Sequence, residues 1–300
     1  MPDTVSAAEI PRVAVYLDFD NIVISRYDQV HGRNSFHRDR TAGFHKEPGR
    51  LTTATVDVGA IIDFASSFGT LVLTKAYADW SADVNADYRG QLVGRAVDLV
   101  QLFPAAAYAK NGADIRLAVD AVEDMFRLPD LTHVVIVAGD SDYIALAQRC
   151  KRLGRYVVGI GITGSISRSL TAACDEFVTY DALPGVPVLA PGDAPKKRAR
   201  RTKADADQEP EQPDPQAAAT GLLQRALQIG HEKDDADWLH NSAVKAQMKR
   251  MDPSFSEKAL GFRSFSDFLR SRIGVVDLDE SSTTRMVRLH LEDHSEDTGE

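Results

Sequence analysis

Short, near-continuous apolar runs recur through the first 180 residues: Val13–Leu17, Leu71–Ala78, Phe103–Ala109, His133–Ala138, Arg155–Ile160 and Phe177–Tyr180. Runs of this length, rich in Val and Ile, predict strands buried on both faces of a parallel sheet. Between them, apolar positions fall at helical spacing in Val56–Ser67, Asn85–Leu102, Asp114–Arg127, Asp142–Leu153 and Ser167–Cys174. Asn85–Leu102 reads as one long helix with Leu92, Ala96, Leu99 and Val100 on a common face, and Gly154 stands where a C-cap belongs. Asn21–Arg26 starts a helix or turn after the first run, and Tyr27–Thr55 is polar. The alternation predicts an α/β domain over residues 11–183, a mainly parallel sheet with helices on both faces.

The pattern then breaks. Residues 184–216 combine scattered prolines with Lys196–Arg201 and an acidic stretch, a composition unable to bury a core, and read as a flexible linker. A second domain is expected over 217–290, with helices at Ala217–Ile229, Ser242–Met251 and Phe265–Arg272 and a strand pair at Ile273–Leu278 and Arg285–His290. Three helices and a hairpin suggest a winged helix-turn-helix. Residues 291–300 form an acidic tail.

Charge follows this partition. Of the formal −9, residues 1–183 contribute −5 and 277–300 contribute −6, whereas 217–276 carry +2. Attraction of the whole surface to nucleic acid is thereby excluded, and any such role has to rest on local patches. The two cysteines, Cys150 and Cys174, lie in apolar or helical patterns and read as buried thiols of a reducing compartment. With no secretory signal and no run near the ~18 apolar residues of a membrane span, a cytoplasmic location without membrane contact is expected.

Onto this frame falls the candidate chemistry. Leu17-Asp18-Phe19-Asp20-Asn21 and Val137-Ala138-Gly139-Asp140-Ser141-Asp142 each follow a predicted strand, and Lys110-Asn111-Gly112-Ala113-Asp114 opens a helical pattern after another. Carboxyl ends of strands line the ligand crevice of an open α/β sheet. Asp18, Asp114 and Asp140 there suit Mg²⁺ or Mn²⁺, hard cations held by carboxylates and water, which activate water and neutralise phosphate charge in phosphodiester cleavage. Asp20 and Asp142 fit less directly, because alternation along a strand turns neighbours to opposite faces. Asn21 can orient a phosphate.

Each motif alone has a plain structural reading as a turn with a capping Ser or Asp and a first-turn carboxylate; coincidence of all three favours a site. A haloacid-dehalogenase-type phosphatase shares the early Asp-x-Asp, but its late motif requires a further Asp where this chain has Ile144. No Gly-x-Gly-x-x-Gly follows the first strand, which argues against a dinucleotide site, and no Cys or His cluster has zinc spacing.

Tyr16–Asn21, Asn111–Asp124, Val135–Tyr143 and Ser169–Leu183 together resemble the NYN domain of the PIN-like nuclease superfamily, LabA/DUF88 type. The resemblance implies a PIN-like Rossmannoid fold and an Mg²⁺- or Mn²⁺-dependent ribonuclease. It also implies metal-binding acids at Asp18, Asp114 and Asp140, with Asp142 and Asn21 beside them. The segment Ser254–Leu269 is similar to the OST-HTH/LOTUS domain, a winged-helix module implicated in RNA or protein binding. Single-stranded RNA is therefore the expected partner, with Ser141, Lys110 and Arg116 as further substrate contacts; a protein partner for the C-terminal module and self-association both stay open. So does the alternative of a non-catalytic RNA-binding or scaffolding protein, since some relatives are thought to bind without cutting.

Two basic stretches are candidates for phosphate contact. Arg26–Arg50 carries Arg26, Arg33, Arg38, Arg40, Lys46 and Arg50, with Tyr27, Phe36 and Phe44 able to stack on bases, and leaves the first strand like a lid. Lys196–Arg201 is a tethered arm or a solvated linker.

Overall fold

The computed structural model describes residues 10–44, 49–103, 112–187, 214–234, 236–279, 281 and 285–290. They fall into two compact units, one on each side of residue 200, each with its own core.

The N-terminal unit runs β1 (Arg12–Asp18), α1 (Phe19–His31), α2 (Ser35–Ala42), α3 (Gly49–Thr53), α4 (Val58–Ser66), β2 (Thr70–Ala78), α5 (Asp83–Ala86), α6 (Arg89–Val93) and β3 (Asp98–Gln101). It continues with α7 (Gly112–Arg127), β4 (His133–Val137), α8 (Ile144–Arg152), β5 (Tyr156–Gly161), α9 (Arg168–Ala173) and β6 (Glu176–Thr179). The six strands form one sheet in the order β3-β2-β1-β4-β5-β6, parallel throughout. Strand alternation divides its core. Val13, Val15 and Leu17 of β1 join one hydrophobic cluster, and Ala14 and Tyr16 join the other.

Across the second face, α7 is held by hydroxyls as well as by shape. Tyr16 donates to Asp124 (3.1 Å), Lys75 to the same carboxylate (2.6 Å), and Tyr77 to Asp120 (3.0 Å). In β5, a Cβ on Gly159 would meet the buried Phe177 ring at 2.3 Å, and Cys174 Sγ at 3.0 Å. Gly159→Ala should therefore cost about 2–3 kcal/mol, read as a lower denaturation midpoint; an unchanged midpoint would contradict this packing.

Two expectations are corrected. Asn85–Leu102 is not one helix: α5 and α6 are short, Ala96 turns the chain in the left-handed region (φ 57°), and Asp98–Gln101 becomes β3. Pairing of Leu99 and Val100 with Ala76 and Tyr77 at the open sheet edge outweighs their helical spacing. Of the strand expected at Phe103–Ala109, only Phe103 is described, 80% exposed and beyond the end of β3; residues 104–111 lie outside the described residues. The polar stretch after β1 is also no extended lid, because α1 continues to His31 and α2 and α3 follow. Tyr27 and Phe36 are buried, and with Phe44 they make ring contacts at 5.2–5.8 Å. Burial of these rings against one another outweighs exposing them for base stacking. Arg26 is likewise buried, paired with Asp181 at 2.8 Å.

The C-terminal unit comprises α10 (Pro215–Asp234), β7 (Leu239–His240), α11 (Asn241–Met251), α12 (Phe265–Arg270), β8 (Val276–Asp279) and β9 (Met286–Leu289). Its sheet is antiparallel in the order β7-β9-β8. Phe255, Phe265, Phe268 and Leu269 are buried at its core, and Ser264 caps α12. Residues 188–213 of the expected linker, Lys196–Arg201 among them, and the acidic tail 291–300 lie outside the described residues, while Pro215 and Gln216 at the linker's expected end already belong to α10.

Candidate active site

Strand order reverses between β1 and β4, and the crevice beyond their carboxyl ends is where an open α/β sheet presents ligands. Asp18 is the last residue of β1, Asp140 lies three residues past the end of β4, directly after Gly139, and Asp114 stands in the first turn of α7.

Asp18 is the innermost, 3% exposed. One carboxylate oxygen caps α1 by accepting from the Asn21 amide (3.2 Å), and the other accepts from the Tyr143 hydroxyl (2.8 Å). Burial pushes its pKa up to about 7, opposed by those two hydrogen bonds and reinforced by the charges of Asp114 and Asp20. Asp114 is half-buried and lies close to Tyr143 and Asp18. Its pKa is raised, first by burial and then by Asp140 and Asp142. Tyr143 is buried, donates its hydroxyl proton to Asp18 and lies close to Asp114, and its own pKa is raised by burial and by both carboxylates. Sequence reasoning did not single it out, although it ends the Gly-Asp-Ser-Asp-Tyr run; a tyrosine entering a helix reads as core.

Asp140 is partly buried at the rim, accepting from the Asp142 amide (3.2 Å) and the Ser141 hydroxyl (3.3 Å). Ser141 and Asp142 are exposed. Asn21 accepts from the Gly139 amide (3.5 Å), linking the ends of β1 and β4. Gly139 itself permits close passage of the β5–α9 loop, since a Cβ there would meet the Ser165 carbonyl at 2.8 Å.

Other candidates are placed elsewhere. Asp20 turns away from Asp18, accepting from Asn85 (2.6 Å) and the Asp79 amide (3.1 Å). Arg40 lies within charge range of Asp20 and Asp79. Arg116, exposed on α7, pairs with Asp120 (2.9 Å). Lys110 lies outside the described residues.

The donors are all hard oxygens, the type Mg²⁺ and Mn²⁺ prefer. Asp18 and Asp114 lie in charge range of one another, and the leading influences on either pKa include no lysine or arginine. A divalent cation would supply the missing positive charge, so the chemistry of the pair fits such an ion. Among the described residues, however, no three His, Cys, Asp or Glu side chains are gathered closely enough to hold one by themselves.

Comparison with known proteins agrees with this fold. The NYN domain matches residues 12–181, and the OST-HTH/LOTUS domain matches residues 212–288. No curated protein matches the chain. A crystal structure of a protein of unknown function from Vibrio parahaemolyticus is similar at 21% identity and a TM-score of 0.41, over 58% of this chain and 94% of that one. Among the described residues, no helix is long and apolar enough to cross a membrane. With a six-stranded parallel sheet, acids gathered at its topological switch and a family match over more than half its length, the chain belongs to the NYN family of PIN-like nuclease domains, followed here by an OST-HTH/LOTUS module of the RNA-binding type.

Proposed function

We propose that the protein is a divalent-metal-dependent ribonuclease that cuts single-stranded RNA internally, its C-terminal module selecting the RNA. The observation that carries this reading is the buried Asp18 at the end of β1, at the switch point, with the half-buried Asp114 in charge range of Asp18, Asp140 and Asp142. Asp18, Asp114 and Asp140 would hold Mg²⁺ or Mn²⁺, with Asp142 at the rim. Such an ion, when bound, neutralises charge developing on the phosphate and activates water.

The protein's own groups do the rest. Tyr143 holds the buried Asp18 carboxylate in place through its hydroxyl. The pKa of both acids is raised, chiefly by burial, so a cation has to compete with protons for the two carboxylates. Asn21 fixes the spacing of the two strand ends. Ser141 stands at the exposed edge where a phosphate would arrive, with Arg116 and Lys110 as further candidate contacts.

A second reading, an RNA-binding protein that does not cut, is favoured by the absence of a closed three-acid cluster among the described residues. Incubation of the full chain with end-labelled single-stranded RNA separates the two. Internal cleavage in Mn²⁺, lost in chelator and reduced about tenfold or more by Asp140→Asn, is expected. Tight RNA binding with no cleavage in either Mg²⁺ or Mn²⁺ would establish the second reading instead.

A further inference from the structure

The outward side of α7 is unusual for a surface helix. Ile115 is 64% exposed, Val119 57% and Phe126 64%, and the partly buried Val122 completes the row. Their spacing of four, three and four residues is that of alternating d and a positions, the apolar seam of a coiled coil. Scattered exposed apolar residues need no explanation, but a stripe in seam register along three turns of one helix does.

We propose that this stripe is a self-association surface, on which α7 pairs antiparallel with α7 of a second copy about a two-fold axis between Val119 and Val122. The flanking charges select both the partner and the direction. In this register the solvent-side e positions are Arg116 and Glu123, whose side chains are 60% and 59% exposed. The g positions, Ala118 and Met125, turn back toward the domain's own core. In an antiparallel pair e faces e, so Arg116 of each copy meets Glu123 of the other, and the contact is repeated by symmetry. A parallel pair would set e against g and leave both charges without a counterpart.

Within one chain, Arg116 pairs with Asp120 at 2.9 Å and Glu123 with Arg127 at 3.5 Å. The Glu123–Arg127 pair is exposed and exchanges readily, whereas Asp120 is largely buried, so Arg116 would share its guanidinium between Asp120 and the second copy's Glu123. The same axis sets Ile115 opposite Phe126, a medium side chain against a large one at each end of the seam. A seam of four residues is short, so the dimer should dissociate on dilution.

Sedimentation of the full chain across a concentration series tests this. The wild type is expected to move from monomer to dimer, and Val119→Asp to raise the dissociation constant by about tenfold or more. The decisive arm is a charge exchange. Arg116→Glu and Glu123→Arg should each fail to self-associate, because like charges then face one another, whereas an equimolar mixture should form the heterodimer with both pairs restored. Thermal melts verify that each variant is folded; one that is not is replaced by Arg116→Gln or Glu123→Gln, each expected to weaken the dimer several-fold. A wild type that stays monomeric, a dimer indifferent to Val119→Asp, or a mixture no more associated than its components would overturn the proposal.

Discussion

Asp18→Asn is expected to stabilise the metal-free protein at pH 8 and to do so much less at pH 5. A carboxylate whose pKa rises from 3.8 to about 7 on folding keeps, in the native state, a proton the unfolded chain has lost. Stability therefore falls as pH rises from about 4 to about 7, and the deficit is complete above that window. At about 1.4 kcal/mol for each unit the deficit approaches about 4 kcal/mol. Asparagine removes the charge yet keeps an oxygen to cap α1 at the Asn21 amide, so the variant should regain about 2–4 kcal/mol at pH 8. In a domain of this size that is a rise of about 5–15 °C in Tm. At pH 5 the gain should be less than half as large. Melts in chelator at the two pH values measure it; an equal gain at both, or a loss at pH 8, would show that Asp18 is not the strained acid described.

The second large effect concerns Asp114. Asp114→Asn should lower RNA cleavage by about 10³-fold, because it removes one of two inner carboxylates and leaves the other facing a neutral amide. The same substitution should blunt stabilisation by metal. Excess Mn²⁺ is expected to raise the Tm of the wild type by mass action and to raise that of the variant far less. Single-turnover cleavage and melts in Mn²⁺ read the two effects on one preparation. A variant within threefold of the wild-type rate, with an equal response to metal, would remove Asp114 from the site.

The parts of the fold legible in the sequence were those decided by continuous burial. β1, β4 and β5 are apolar on both faces, so their runs announced themselves, as did α7 through its buried Leu117, Ala121 and Met125. β3 was missed because it is a four-residue edge strand whose apolar positions fit helical spacing equally well, and only the partner β2 decides between them. Arg26–Arg50 misled for a related reason. Its charges are real, but the aromatic residues among them pack against each other, and composition alone does not reveal which side of a short helix faces inward. At the candidate site, the acids and their strand ends could be read from spacing. That Asp20 serves Asn85 while Asp18 points inward could not, because both positions look alike until the β2–α5 turn is in place.

The hydroxyl contacts under α7 bear on how much the molecule can tolerate there. Asp120 and Asp124 are met by Tyr77 and Tyr16, two donors on two neighbouring strands. A helix packed by oily side chains alone can roll or slip by part of a turn at small cost, since one apolar surface resembles another. Rotation by a single residue, about 100°, would carry both carboxylates off their donors at once. The helix is thus indexed like a key in a lock with two pins, and its angular setting, and with it the direction in which Asp114 points, stays fixed.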